Sequence, residues 1–183
     1  MSNFNVFPIV ALKAEKILLV LIQKSNYNES MKKMFGQILI LASVLALADQ
    51  TTKWVAVRHL ETPVSLVGDI FMLEYTENTG MAFGLPMPYG ILLFGSIFLL
   101  ILIGFIAKKE LDLRKLTARL AVALVMGGAL GNIIDRIVNG YVIDFIKIWK
   151  WPNFNVADIF ITAGILLIII FYAKIRNDEQ RRN

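Results

Sequence analysis

The chain has 183 residues, 57% of them hydrophobic and 18% charged, which is too apolar for an ordinary water-soluble domain of this size and marks an integral membrane protein. Zero cysteines and a single histidine, His59, exclude disulfide scaffolds, thiol nucleophiles, thiolate or His-rich metal sites and nearly all Ser-His-Asp or Cys-His chemistry, leaving catalysis to carboxylates, lysines and hydroxyls. The net charge of +5 would suit nucleic acid, but the basic residues sit where membrane topology needs them, and no nucleic-acid partner is expected.

Residues 1–34 carry Lys13, Lys16, Lys24, Lys32 and Lys33 against Glu15 and Glu29, with a short apolar run at 17–22. That run is too short for a span, and no cleavage site of a secretory leader follows it, so an interfacial or disordered cytoplasmic extension is expected, dispensable for activity up to residue 30. Four stretches, 35–57, 89–107, 117–138 and 156–173, are long and apolar enough to cross a hydrocarbon layer of about 30 Å. The organisation expected is thus an extension over 1–34, a four-helix membrane domain over 35–175, and a cytoplasmic tail over 176–183.

Charge orients the spans. The 108–119 connection holds Lys108, Lys109, Arg114, Lys115 and Arg119, and Lys174, Arg176, Arg181 and Arg182 follow the fourth span. From 58 to 88 the only basic residue besides His59 is Arg58, beside four acids. The positive-inside rule therefore places both termini and the 108–119 loop in the cytoplasm and two larger loops outside. In the first outer loop, 64–75 is rich in β-branched and aromatic residues and suits a short extended piece resting on the membrane. The glycines of 77–84, Gly80 and Gly84, allow close backbone approach or positive φ, and Asn78 offers both a donor and an acceptor. In the second outer loop Tyr141, Phe145, Trp149, Trp151 and Phe154 suit an aromatic belt at the headgroups.

Ionisable residues within spans are costly and mark function or a buried partner. Counting about 1.5 Å per residue from Lys33 to Asp49, from Arg119 to Arg136 and from Lys174 back to Asp158 gives about 24–26 Å each time. Asp49, Asn132, Asp135, Arg136 and Asp158 are therefore expected at one level near the outer boundary. Asp49 and Lys53, like Asn132 and Arg136, are spaced to share a helix face. Asp144 lies in an apolar run, and the 14 residues to Asp158 let the chain bring the two carboxylates together. At close range such a pair shares a proton, one member acting as base on a water and the other as acid, with no metal, thiol or histidine. The spacing equally allows Asp144 to pair with Lys147 or Arg136 and Asp158 to be a helix cap. A small transporter is a poorer fit, because its charges belong near the midplane between repeats that this chain lacks. A non-catalytic assembly factor would use the same charges as internal salt bridges.

Five motifs in order carry a resemblance: Asp49-Gln50-Thr51-Thr52-Lys53; Asn78-Thr79-Gly80-Met81-Ala82-Phe83-Gly84; Gly127-Gly128-Ala129-Leu130-Gly131-Asn132-Ile133-Ile134-Asp135-Arg136; Val142-Ile143-Asp144-Phe145; and Phe154-Asn155-Val156-Ala157-Asp158. Over about 35–175 the chain resembles the bacterial lipoprotein signal peptidases (signal peptidase II). The resemblance implies an α-helical integral membrane protein with four transmembrane helices and a small extracytoplasmic β-cradle, acting as an aspartyl endopeptidase of the bacterial inner membrane. Such enzymes remove the signal peptide of a prolipoprotein by cleaving before its diacylglyceryl-modified cysteine, among membrane lipids, and are blocked by cyclic peptides of the globomycin class. By position it implies Asp144 and Asp158 as the catalytic pair and Asp49, Asn78, Gly80, Asn132, Arg136 and Asn155 as substrate-binding or site-supporting. Lys53 and Asp135 are expected to orient the others, with no metal or cofactor. Met81 and Ile159 depart from the family pattern, changes that bear on packing or substrate fit and remove no reacting group. Gly127, Gly128 and Gly131 are expected to permit close helix packing, with room for an acyl chain as the alternative use of their missing side chains.

Overall fold

A computed structural model describes residues 7–80 and 87–177, with side chains from residue 18 onward. Its elements are α1 (Phe7–His59), β1 (Val64–Val67), β2 (Phe71–Asn78), α2 (Tyr89–Glu110), α3 (Leu116–Asn139), β3 (Val142–Ile148) and α4 (Val156–Ile175). The chain divides into two compact units, residues 1–36 and 37–183. The first is helical from Phe7, with Leu18 to Ile22 exposed. Helix there follows from the sequence, since no Pro or Gly lies between Ile9 and Phe35 and Pro8 sits in the first turn, where its missing N–H has no partner to lose.

In the second unit, α1 turns one narrow stripe inward. Ile38, Ala42, Ala46, Asp49, Lys53 and Ala56 are buried at spacings of three and four, while Leu39, Ile40, Val44, Leu47 and Val55 face outward. A helix that hides small and charged residues and exposes large aliphatic ones is built for lipid outside and a polar bundle inside. The central helix is α3, against which α2 and α4 both pack. Glycine makes the contact possible: a Cβ on Gly127 would meet the backbone of Ala42 and one on Gly128 the backbone of Ala157, so helix axes at these points are closer than any side chain allows. At one end of the bundle the α2–α3 corner is stitched to the end of α4 by Asp112 N–H to Ile175 O (2.7 Å) and Asn177 N–H to Glu110 O (2.7 Å). This end carries the basic residues Lys108, Lys109, Lys115 and Lys174.

The other end carries a three-stranded antiparallel sheet in the order β1-β2-β3. β2 pairs with β3 from Phe71 opposite Ile148 to Asn78 opposite Val142, which sets Thr76 across from Asp144. The extended piece expected at 64–75 is thus two strands, and β3, unforeseen, completes the sheet. α3 stops at Gly140, whose φ of 85° and N–H to Arg136 O (3.1 Å) form a left-handed C-cap, and β3 begins two residues later. After β3 the chain folds back so that Phe154 brackets Ile146 through Phe154 N–H to Ile146 O (3.0 Å) and Ile146 N–H to Phe154 O (2.8 Å). That return delivers Asn155 and the start of α4 beside Asp144. The expected aromatic belt is divided by the fold: Phe145 is buried and Tyr141 turns to the Tyr75 hydroxyl at 3.3 Å, leaving Trp149 and Trp151 exposed.

Candidate active site

Three helices meet at the level where the depth counts converge. Asp49 of α1 accepts from the backbone N–H of Ala157 in the first turn of α4 (2.8 Å). Lys53, one turn further on, places its ammonium 2.8 Å from Asp49 Oδ2 and 2.8 Å from Asp135 Oδ2 of α3. All three are at most 1% exposed. One cation between two carboxylates leaves negative charge unbalanced, and further donors supply the difference. Gln50 Nε2 donates to Asp135 Oδ1 (2.8 Å), and the backbone N–H of Ile143 donates to Asp135 Oδ2 (3.0 Å). A Cβ at Gly131 would overlap the Asp49 carboxylate, so glycine there lets the two helices share this charge.

The network continues outward through two asparagines. Lys53 Nζ and Asn155 Nδ2 both donate to Asn132 Oδ1, at 2.9 and 3.1 Å. Because an ammonium only donates, the Asn132 carbonyl must face it, and its amide must face the other way, toward Asp158 Oδ1 at 2.9 Å. Asn155 Nδ2 reaches Asp144 Oδ1 at 2.7 Å, and Asn78 Nδ2 reaches Asp144 Oδ2 at 2.8 Å. Asn78 is oriented in turn by the Gly80 N–H on its Oδ1 (3.1 Å). Asp144 is buried on β3, and burial pushes its carboxyl up to about 6; repulsion from Asp158 adds to the rise, while the amides of Asn78 and Asn155 oppose it.

Asp158 does cap α4, since its Oδ2 accepts from Asn155 N–H (3.2 Å) while Asn155 Oδ1 accepts from Asp158 N–H (3.0 Å). The cap leaves Oδ1 turned to Asn132, so the two roles coexist. Asp144 and Asp158 both line a cavity of about 640 Å³ with Asn132, Arg136, Asn78 and Gly80. The alternative partners of Asp144 are engaged elsewhere: Lys147 binds Glu74 at 2.5 Å, and Arg136 donates to the backbone carbonyl oxygen of Asn132 at 3.2 Å.

Of the residues singled out from sequence, Asp49, Lys53 and Asp135 lie behind the cavity wall, where they hold Asn132, Ala157 and Ile143. Asn155 is completely buried between Asp144 and Asn132. Gly80 lines the cavity without taking positive φ; among the described residues the glycines that do are Gly68 and Gly140. Met81 and Gly84 lie outside the described residues, and Ile159 is exposed on α4, off the cavity. Gln50 was not foreseen as a partner of Asp135, nor Glu74, Lys147 and the 151–154 segment as cavity lining. The signal available for Gln50 was its place among the uncharged polar residues 50–52 beside Asp49 in an apolar span.

Among the described residues, four helices long and apolar enough to cross a membrane, a sheet at one end and a polar cavity define a polytopic membrane enzyme. The family model for signal peptidase (SPase) II matches residues 40–174. A lipoprotein signal peptidase from Chlorobium phaeobacteroides is 42% identical over 156 residues, covering 76% of this chain and 91% of that protein; one from Symbiobacterium thermophilum is 40% identical over 139 residues, covering 72% and 91%. A solved bacterial membrane enzyme superposes with a TM-score of 0.67 at 29% identity, covering 76% of this chain and 88% of its own. The chain belongs to the signal peptidase II family and is a peptidase.

Proposed function

We propose that Asp144 and Asp158 are the catalytic pair of a membrane aspartyl endopeptidase that removes signal peptides from prolipoproteins by cutting before the diacylglyceryl-modified cysteine. The observation that carries this reading is that both carboxylates line one cavity and are bridged by Asn132 and Asn155. Burial pushes the Asp144 carboxyl up to about 6, so it holds its proton to a higher pH than an exposed carboxylate, which is the direction a pair sharing one proton needs.

In the reaction, the ionised member takes a proton from water as the water oxygen bonds to the carbonyl carbon preceding the cysteine. The protonated member donates a hydrogen bond to the developing oxyanion. Collapse of the tetrahedral intermediate breaks the C–N bond, and a carboxyl proton passes to the leaving amine, so the pair ends with one proton, as it began. Arg136 stays charged and holds polar atoms of substrate or lipid; Asn78, Gly80, Asn132 and Asn155 fix the carboxylates and the mouth of the cavity. Asp49, Lys53 and Asp135 orient this layer from behind.

Basic residues gather at the end opposite the sheet, which supports cytoplasmic termini and a site near the outer leaflet of the bacterial inner membrane. A diacylated cysteine keeps its acyl chains in that leaflet, so the scissile bond arrives at the depth of the pair. Cyclic peptides of the globomycin class are expected to occupy the same cavity. The test is processing of a diacylglyceryl-modified prolipoprotein by purified wild type, Asp144→Asn and Asp158→Asn, with unlipidated substrate as control. Both variants are expected to insert and bind but not cleave; full turnover by either would overturn the assignment.

A further inference from the structure

We infer that the arm of the catalytic cavity walled by β2, β3 and residues 151–153 is the subsite for the two residues that follow the cysteine, and that the Glu74–Lys147 ion pair makes this subsite accept either charge. The inference rests on the peptidase reading above and adds to it where the mature chain lies and what it meets.

The cavity has two halves. Asn132, Arg136 and Asp158 come from α3 and α4, at the ends of spans, where the signal segment and the acyl chains arrive. Glu74, Thr76, Lys147 and Asn153 line the half beyond the carboxylates, among the strands. That half is preformed, because Asn153 Nδ2 donates to Thr76 Oγ1 at 2.6 Å and so ties the return after β3 to β2. Thr76 lies across from Asp144. At about 3.4 Å per residue, Glu74 is about 7 Å along β2 from Thr76, and Lys147 about 10 Å along β3 from Asp144, in the same direction. An extended chain advances at the same rate. With the scissile bond at Asp144, the two residues after the cysteine therefore reach the ion pair.

As a structural clamp this pair is superfluous. Lys147 Nζ meets Glu74 Oε2 at 2.5 Å, with 35% and 31% of the two side chains exposed. A pair so open to water adds little to stability, and backbone pairing already joins β2 to β3 from Phe71 to Asn78. The chain nonetheless aims Glu74 at the cavity. Leu73 pairs with Ile146 and Thr76 with Asp144, so β2 holds one residue more than β3 over this stretch, and such a bulge re-aims a side chain. Glu77, the other carboxylate of this half, is engaged by the Tyr75 hydroxyl at 3.1 Å. The subsite thus presents one anion and one cation, each balancing the other. A single charge there would select by sign, since like charges brought together are penalised. The pair does not select. A substrate lysine takes the place of Lys147 on Glu74, a substrate glutamate takes the place of Glu74 on Lys147, and an uncharged residue leaves the pair closed.

The test uses the full-length protein in uncharged detergent micelles and three diacylglyceryl-modified prolipoprotein peptides, with Gln-Gln, Lys-Lys or Glu-Glu after the cysteine. Wild type is expected to show kcat/KM within about threefold across the three, as the small worth of an exposed pair implies. Lys147→Met leaves Glu74 alone and should favour Lys-Lys over Glu-Glu by at least about tenfold, the worth of one hydrogen bond to a charged group; Glu74→Gln should reverse the preference by as much. Each ratio is taken within one protein, so a partial loss of folded enzyme cancels. Glu74→Gln/Lys147→Met should show no preference. Unchanged ratios in both single variants would overturn the inference and leave the peptidase reading standing, whereas failure of wild type to cleave any of the three would overturn both. Moved about ten positions further from the cysteine, about 34 Å away and beyond a screening length of about 8 Å, the charged residues should no longer be discriminated. A preference that persists there would overturn the inference by assigning the effect to general charge attraction.

Discussion

Lys53 is the residue whose loss separates stability from chemistry. Lys53→Met keeps the aliphatic volume and removes an ammonium that lies 2.8 Å from Asp49, 2.8 Å from Asp135 and 2.9 Å from the Asn132 carbonyl. Two carboxylates are then buried without a cation. Asp49 keeps the Ala157 N–H, and Asp135 keeps Gln50 and the Ile143 N–H. Breaking a buried ion pair by removing one partner costs about 3–5 kcal/mol, because the remaining charge has lost its solvation and gained nothing. Neutralising the carboxylates as well, in Lys53→Met/Asp49→Asn/Asp135→Asn, should return the protein to within about 2 kcal/mol of wild type, since a neutral polar cluster avoids that penalty. Activity should not return with it. Without the ammonium Asn132 Oδ1 keeps only the Asn155 amide at 3.1 Å, so the Asn132 side chain is held less firmly and its 2.9 Å contact with Asp158 loosens; cleavage should fall at least about tenfold in both variants, a loss of the order of one hydrogen bond to a charged group. Stability is read from reversible unfolding in mixed micelles, activity from cleavage of lipidated substrate. A Lys53→Met protein within about 1 kcal/mol of wild type would show that the three charges are not paired as described.

The Asp144 carboxyl, raised to about 6, binds a proton in the folded protein that it lacks when unfolded between about pH 4 and 6. Its contribution to stability is therefore full below about pH 4 and is lost as pH rises through 6, by at most about 3 kcal/mol at about 1.4 kcal/mol per unit; Asp144→Asn should flatten that part of the pH–stability curve, and an unchanged curve would contradict the burial argument. At Gly128 an added Cβ meets the Ala157 carbonyl, which cannot move without α4, so Gly128→Ala should cost about 1–3 kcal/mol and impair cleavage by shifting Asp158. Gly95, with nothing within 4 Å, is the control: Gly95→Ala should be neutral or stabilising by up to about 1 kcal/mol in the same assay. Removal of residues 1–30 should leave insertion and prolipoprotein cleavage intact, and loss of both would assign the N-terminal unit a part in the enzyme.

Why the polar site could be read ahead of the fold is a matter of what lipid forbids. A charge inside a span needs a partner, so Asp49, Lys53, Asp135 and Arg136 announce contacts whose level can be counted along each helix. The strand that carries Asp144 gave no such sign. Its first four residues, Val142 to Phe145, are all buried, so the alternation that identifies a half-exposed strand is missing, and its partner β2 lies some 65 residues away. The early start of α1 was legible in one respect only: no Pro or Gly between Ile9 and Phe35 stops a helix, while Lys13, Glu15 and Lys16 interrupt the apolar run that would mark a span. Within 50–52 the sequence offers three uncharged polar side chains, Gln50, Thr51 and Thr52, and no way to rank them. Thr51 and Thr52 turn back to carbonyls of their own helix, Leu47 and Asp49, at 2.7 Å each, whereas Gln50 crosses to α3. Which of them crosses depends on the approach of α1 to α3, and that approach is set by Gly127 and Gly131 on the other helix. The position of the carboxylates thus depends on residues that bear no charge, and substitutions at these glycines should disturb the site as surely as substitutions within it.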